Sequence, residues 1–290
     1  MTANRSGLPP LRWAGSTALV TGAAGGMGEH LARGLADRGC ALVLADRDTD
    51  GLARVAGAIR RARPGIEVDE QSVDLSRPRE CRALVEAVRE RHPGLNLVFN
   101  NAGAALAGRF DELSAEEFDW LIEINLRSPI TIVRGLLPSL VTNQNAHVVN
   151  TSSVFGLIGP YGQSAYATSK FGLRGFSESL THELAEVGVG VTTVFPGGIA
   201  TGIARNARLA SAIDTPEARA AVARFDRSAL RFPPERAAAL ILDAAQRRRR
   251  TLLIGSDARL IALLSRVAPA LFPAVLNRLG RRGARALDAG

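Results

Sequence analysis

Short, nearly continuous apolar runs alternate along this chain with stretches in which apolar residues recur every three or four positions. Thr17–Val20, Ala41–Ala45, Val68–Leu75, Leu95–Phe99, His147–Thr151, Val189–Phe195 and Leu252–Ile254 read as strands. Glu29–Arg38, Arg79–Arg91 and Ala165–Val187 read as amphipathic helices. Such alternation predicts an α/β fold, a doubly wound parallel sheet of about seven strands with helices on both faces. Unbroken apolar strands are what a sheet covered on both faces requires. No internal repeat or long linker interrupts the rhythm, so a single domain is expected over residues 1–256. Two segments depart from it. Residues 201–232 follow the sixth strand as a mixed-polarity insertion, a candidate lid. Residues 257–290 form an apolar, Arg-flanked helical extension. Insertions beyond strand C-termini are where open α/β sheets build ligand sites.

Composition changes this picture little. With 290 residues, 46% hydrophobic and 22% charged, the chain is neither collagen-like nor disordered, and it can bury a core without metal or disulfide support. Cys40 and Cys81 lack CxxC spacing, which suggests a reducing compartment and no metal site. No signal-like segment precedes the first strand, so a cytoplasmic location is expected. The net charge of +8 comes from one lysine and 35 arginines against 28 acidic residues. The arginines are scattered, with runs at Arg247–Arg250 and Arg278–Arg285, and no zinc pattern or recognition module accompanies them. They read as solvated helix faces, and no nucleic-acid partner is expected. The longest apolar run, Leu260–Leu276, contains Arg266, Pro269 and Pro273 and is a poor membrane span.

The first strand runs directly into Thr21-Gly22-Ala23-Ala24-Gly25-Gly26-Met27-Gly28 and then a helix. Glycines permit the tight turn and let backbone N–H groups approach a pyrophosphate, and the helix N-terminus adds partial positive charge. Eighteen positions beyond Gly28, at the end of the second strand, lies Asp46. A carboxylate there accepts both adenosine ribose hydroxyls and repels a 2′-phosphate, which favours NAD in a Rossmann-type site. The adjacent Arg47 keeps NADP open, because a guanidinium pairs with a 2′-phosphate.

Tyr166 and Lys170, the only lysine, stand at i and i+4 on one helix face. A phenol ionises near pH 10, but an ammonium about 4 Å away contributes on the order of 4 kcal/mol at an effective dielectric near 20. That is about three pKa units, enough to poise a base near neutrality unless desolvation cancels it. Ser153, thirteen residues before Tyr166 at the end of the fifth strand, could polarise a substrate oxygen.

Together these residues resemble the short-chain dehydrogenase/reductase superfamily in its conventional form, over about residues 13–255. Thr21 to Gly28 fits TGxxxGxG, and Asn100-Asn101-Ala102-Gly103 fits NNAG. Ser153 with Tyr166-Ala167-Thr168-Ser169-Lys170 fits the Ser/YxxxK constellation, and Pro196-Gly197 fits the PG turn. The resemblance implies roles. Tyr166 would be the general acid/base, and Ser153 the stabiliser of the substrate oxygen. Lys170 would lower the phenol pKa and hold the nicotinamide ribose, and Asn125 would hold a water in the proton relay. Thr21, Gly22, Gly26, Met27 and Gly28 would form the phosphate loop. Asp46, Arg47, Asp74 and Leu75 would lie along the adenosine, with Asn101, Ala102 and Gly103 on its ribose side. Pro196, Gly197, Ile199 and Thr201 would contact the carboxamide or phosphates. A homodimer or homotetramer is implied as well.

The expected reaction is hydride transfer between NAD(H) and a secondary alcohol or ketone. An NADP-dependent carbonyl reductase with the same catalytic residues is the alternative, and a nucleotide-binding protein without turnover a more distant one. Ile203, Leu209, Ile213, Val222, Phe225 and Leu230 either wall an apolar substrate site or merely pack the lid helices. The extension either lies on an anionic membrane surface, packs on a neighbouring subunit or covers the cleft.

Overall fold

Seven parallel strands form the central sheet of a computed structural model of the chain, which describes residues 7–272 apart from Gln144 and Ala204, together with Ala274 and Asn277. For residues 221 and 225–229 only the backbone is described. The first half runs β1 (Thr17–Thr21), α1 (Gly26–Ala36), β2 (Ala41–Asp46), α2 (Thr49–Ala62), β3 (Val68–Ser72), α3 (Pro78–Arg91) and β4 (Leu97–Asn100). A two-residue strand β5 (Leu106–Ala107), helices α4 (Ala115–Ile122) and α5 (Ser128–Thr142), β6 (His147–Thr151) and α6 (Ser164–Ala185) follow. The chain continues through β7 (Gly190–Pro196), β8 (Arg208–Leu209), α7 (Pro216–Ala229), α8 (Pro234–Gln246), β9 (Thr251–Ile254) and α9 (Ser256–Val267). Sheet order is β3-β2-β1-β4-β6-β7-β9. Strand order reverses between β1 and β4, and the crevice above that reversal is where doubly wound sheets bind ligands.

Alternation along each strand builds two cores. Ala18, Val20, Leu42, Leu44 and Phe99 pack against Leu31, Leu35, Val55, Ile59, Ile241 and Leu242 of α1, α2 and α8. Leu19, Val43, Val98, Val148 and Val191 face the other way, onto Val85, Val88, Ile132, Leu136, Leu180 and Leu184 of α3, α5 and α6. Local chemistry starts the helices. Asp48 caps α2 by accepting from Gly51 N at 3.0 Å, and Ser114 and Glu117 form a reciprocal capping box on α4. Cys40 and Cys81 are free thiols, and burial pushes them up to about 12 and about 11.

Two sequence expectations change here, and a third gains detail. β3 stops at Ser72, three residues short, because Val73, Asp74 and Leu75 turn into the crevice. The C-terminal extension begins as the expected helix: α9 ends at Val267, and a bend at Ala268–Ala270 contains Pro269, which has no N–H to continue the ladder. Helical backbone resumes at Leu271 and Phe272, while Pro273, Leu276 and residues 278–290 lie outside the described residues. The Arg247–Arg250 run is not a solvated face throughout. Arg248 is 1% exposed, with φ +52. Its guanidinium donates to Pro9 O at 3.1 Å, to Ala146 O and to His147 Nδ1 at 3.0 Å. Burial lowers Arg248 to about 10. Burial and the Arg248 charge hold His147 well below the usual imidazole range, matching a neutral ring that accepts at Nδ1 and donates through Nε2 to Thr192. No helix among the described residues is long and apolar enough to cross a membrane.

Candidate active site

A cavity of about 470 Å³ opens over the C-terminal ends of β1, β2, β4, β6 and β7. The loop after β1 forms one wall. Gly22 and Gly26 take φ +68 and +54, the left-handed region that favours glycine. A Cβ on Gly22 would come within 2.8 Å of Ala102 Cα, and one on Gly28 would collide with the Gly22 carbonyl. Thr21 and Gly28 therefore shape the loop without lining the cavity. Thr21 Oγ1 accepts from Asn101 N at 3.1 Å and Ala102 N at 3.0 Å, which locks the Asn100–Gly103 turn against β1. Gly25, Gly26 and Met27 line the wall at the α1 N-terminus, where no side chain caps the helix. Its first N–H groups remain open to an anion.

Asp46 and Arg47 line the cavity at the tip of β2. The Asp46 carboxylate is fixed by Ala24 N at 3.0 Å and Asp48 N at 3.1 Å. Asp74 and Leu75 lie beside them. Burial raises Asp74, but hydrogen bonds from Ser76 and the nearby Arg77 and Arg47 charges outweigh it and keep the carboxyl below its usual range.

Ser153, Tyr166 and Lys170 meet at the cavity's inner end. Ser153 Oγ accepts from Phe155 N at 3.1 Å, and its hydroxyl lies near enough to the Tyr166 phenol to favour its ionised form. Lys170 Nζ donates to Thr151 O at 3.0 Å and lies 5.7 Å from the Tyr166 ring centroid. Here the structure departs from expectation. Burial raises the Tyr166 pKa, and the opposing pull comes from Ser153. Lys170 is itself brought down to about 8 by burial. Desolvation of both partners outweighs the expected lowering of the phenol by the ammonium.

Asn125 is fully buried in a π-helical turn, Glu123–Arg127, between α4 and α5. Its Oδ1 accepts from Ala104 N at 2.9 Å, and its Nδ2 donates to Ala104 O at 3.0 Å and Ser169 Oγ at 3.1 Å. Both amide protons are committed, one to the Ala104 carbonyl and one to the Ser169 hydroxyl, so the side chain ties the Ala104 backbone to α6. A π-turn re-aims a side chain in this way, and no sequence pattern announces one.

Pro196, Gly197, Ile199 and Thr201 line the cavity after β7, so every expected cofactor-contact residue except Thr21 and Gly28 borders it. Of the expected lid residues Ile203 and Leu230 reach it, Leu209, Ile213 and Val222 do not, and the Phe225 side chain lies outside the described residues. The sequence reading missed Ser152, Trp120, Asn206 and Arg208 in the lining. The last three are brought in by α4 and by β8, which pairs with β5 through Leu106↔Arg208; two-residue strands carry no periodicity. Among the described residues, Asn101 Oδ1 and Thr151 Oγ1 are buried without a hydrogen-bond partner, and both residues border the cavity. Orphaned polar atoms, a glycine-shaped loop and an open helix N-terminus suit a polar, anionic, nucleotide-sized ligand.

A doubly wound sheet with a glycine loop and a buried Ser–Tyr–Lys group at its switch point defines a nucleotide-site oxidoreductase class. The chain belongs to the short chain dehydrogenase family, whose model matches residues 16–212. Over 256 residues, 87% of this chain and 91% of the relative, it is 34% identical to SadH of Mycobacterium tuberculosis, an oxidoreductase by name. A short chain dehydrogenase/reductase from Burkholderia phymatum, solved in complex with NAD, is 30% identical with TM-score 0.79, covering 90% of this chain and 96% of that one. A short-chain dehydrogenase from Sphingobium yanoikuyae, in complex with NADPH, is 28% identical with TM-score 0.72, covering 86% and 92%.

Proposed function

We propose that the chain is an NAD-dependent oxidoreductase that interconverts a secondary alcohol and a ketone with an apolar body, with Tyr166 as general acid/base. The observation that carries this is the Ser153–Tyr166 hydroxyl pair buried beside Lys170 in the cavity bordered by the glycine loop. The nicotinamide, when bound, supplies or accepts the hydride. The Ser153 and Tyr166 hydroxyls donate to the substrate oxygen and orient the carbonyl carbon. Burial raises the Tyr166 pKa, so the protonated phenol can give its proton to a developing alkoxide when a carbonyl is reduced and takes it back when an alcohol is oxidised. Lys170, anchored on Thr151 O, offers its remaining N–H groups to ribose hydroxyls. Asp46 at the tip of β2 supports NAD, since a second anion at the 2′ position would face its carboxylate. Arg47 on the same rim, with the NADPH-bound relative, supports NADP as the second reading.

Tyr166→Phe should lose about 10²–10⁴-fold in kcat across a panel of apolar ketones while binding NADH as the wild type does. Retained turnover in this variant would remove Tyr166 from the chemistry.

A partner surface is proposed with it. On α9 and the turn after it, Leu260, Leu263, Val267 and Leu271 are 56%, 58%, 74% and 67% exposed. Residues 258–287 carry six arginines and no acidic residue. An apolar stripe with this charge suits the surface of an anionic bilayer.

A further inference from the structure

The cavity carries a cation that the hydride-transfer reading does not use. Arg208 lays its guanidinium over the Trp120 indole, with Cζ 3.8 Å from the ring centroid. Both residues border the cavity that holds Ser153 and Tyr166. Stacking occupies the flat face of a guanidinium and leaves its in-plane N–H edge for a planar anion. Among the described residues the exposed Arg208 forms no ion pair and its side chain donates no hydrogen bond, while its guanidinium lies against the Trp120 indole. The carboxylate that feels its charge, Glu117, is held low first by the Ser211 hydroxyl and only last by Arg208. Its Oε1 also accepts from Ser211 N at 2.9 Å and its Oε2 from Ser114 N at 2.9 Å.

The Arg208 backbone is tied to the turn that carries Tyr166. Arg208 N donates to Ala105 O at 3.0 Å. The preceding residue, Ala104, is clamped by both ends of the Asn125 amide. Asn125 donates to Ser169 Oγ, which donates to Tyr166 O at 2.8 Å. A run of hydrogen bonds, through the Asn125 amide and the Ser169 hydroxyl, thus links the Arg208 backbone to the Tyr166 turn, and an ordered scaffold of this kind favours preorganised recognition. Apolar Ile203 and Leu230 and the amide of Asn206 border the same cavity.

We infer that Arg208 and Trp120 form a carboxylate subsite, so that the substrate is an oxo or hydroxy acid: an apolar body with the reacting carbon at Tyr166 and its carboxylate on the Arg208 edge. The substrate class rests on the oxidoreductase reading above, whereas the carboxylate site itself stands or falls by binding alone. Trp120 and Trp13 are the two tryptophans, so Trp120 reports the site in a Trp13→Phe background. Titration with hexanoate should quench Trp120 emission saturably and at least about tenfold more tightly than hexanamide, the scale of one charge-assisted contact. Arg208→Gln should abolish that preference and leave NADH binding unchanged. Equal binding of acid and amide, no saturable response to hexanoate, or a preference that survives Arg208→Gln would each overturn the proposal. Failure of the wild type to bind NADH would instead defeat the oxidoreductase reading and leave the hexanoate result to be judged separately.

Discussion

At the residue scale, the site is built from groups whose burial costs stability. Lys170 is 3% exposed, and burial brings it from 10.5 to about 8. A lysine whose folded pKa is lowered carries its full cost below the folded value. The cost fades as pH rises from about 8 towards 10.5, because the folded state sheds its proton first. Lys170→Met should therefore stabilise the protein at pH 7 by about 1–2 kcal/mol, after the lost Thr151 hydrogen bond is discounted. The gain should vanish by about pH 10.5. Thermal melts across that range test this, and a destabilised variant at pH 7 would contradict it. Tyr166, Lys170, Ser153 and the glycines were legible because their residue types are dictated by chemistry at fixed spacing. Their electrostatics were not. Sequence placed an ammonium near a phenol, but only burial decides that desolvation outweighs their attraction.

At the element scale, strands and long helices were legible from period, and their ends less so, as β3 shows where its last three expected residues turn into the crevice. The π-turn at Asn125 and the β5–β8 pair were not legible, because each depends on a partner distant in sequence. Arg248 is the sharpest case. Within four consecutive arginines nothing marks the one that is buried, yet it ties the segment before β1 to the start of β6 through Pro9, Ala146 and His147. Leu11 N adds a bond to Gln246 O at 2.9 Å beside it. Arg248→Ala would leave the Pro9 carbonyl and an imidazole nitrogen unpaired and take one of two donors from Ala146 O, which keeps its bond from Gly190 N, at a cost of about 2–4 kcal/mol. Urea unfolding should show that loss, while Arg247→Ala, on an exposed neighbour, should shift stability by less than about 0.5 kcal/mol. Equal effects would refute the anchoring role.

At the scale of the whole molecule, one crevice gathers residues from the first to the last third of the chain, because a doubly wound sheet reverses its order at β1 and β4. The α9 stripe lies next to that crevice. Asp257, in the first turn of α9, accepts from Gly198 N at 2.8 Å, and the adjoining Gly197 borders the cavity. The full-length chain should co-float with vesicles rich in phosphatidylglycerol and not with neutral phosphatidylcholine vesicles, and Leu263→Asp with Val267→Asp should abolish flotation. Absence of flotation in the wild type would remove the membrane surface as a partner. A nicotinamide-dinucleotide site with Asp46 at its adenosine end is tested most directly by titrating the purified protein with NADH and NADPH and following the cofactor's fluorescence. Saturable binding is expected, with NADH tighter by at least about tenfold and the difference erased in Asp46→Asn. Tighter NADPH binding would give the adenosine end to Arg47, and no saturable binding of either would show that the crevice is not a nicotinamide-dinucleotide site.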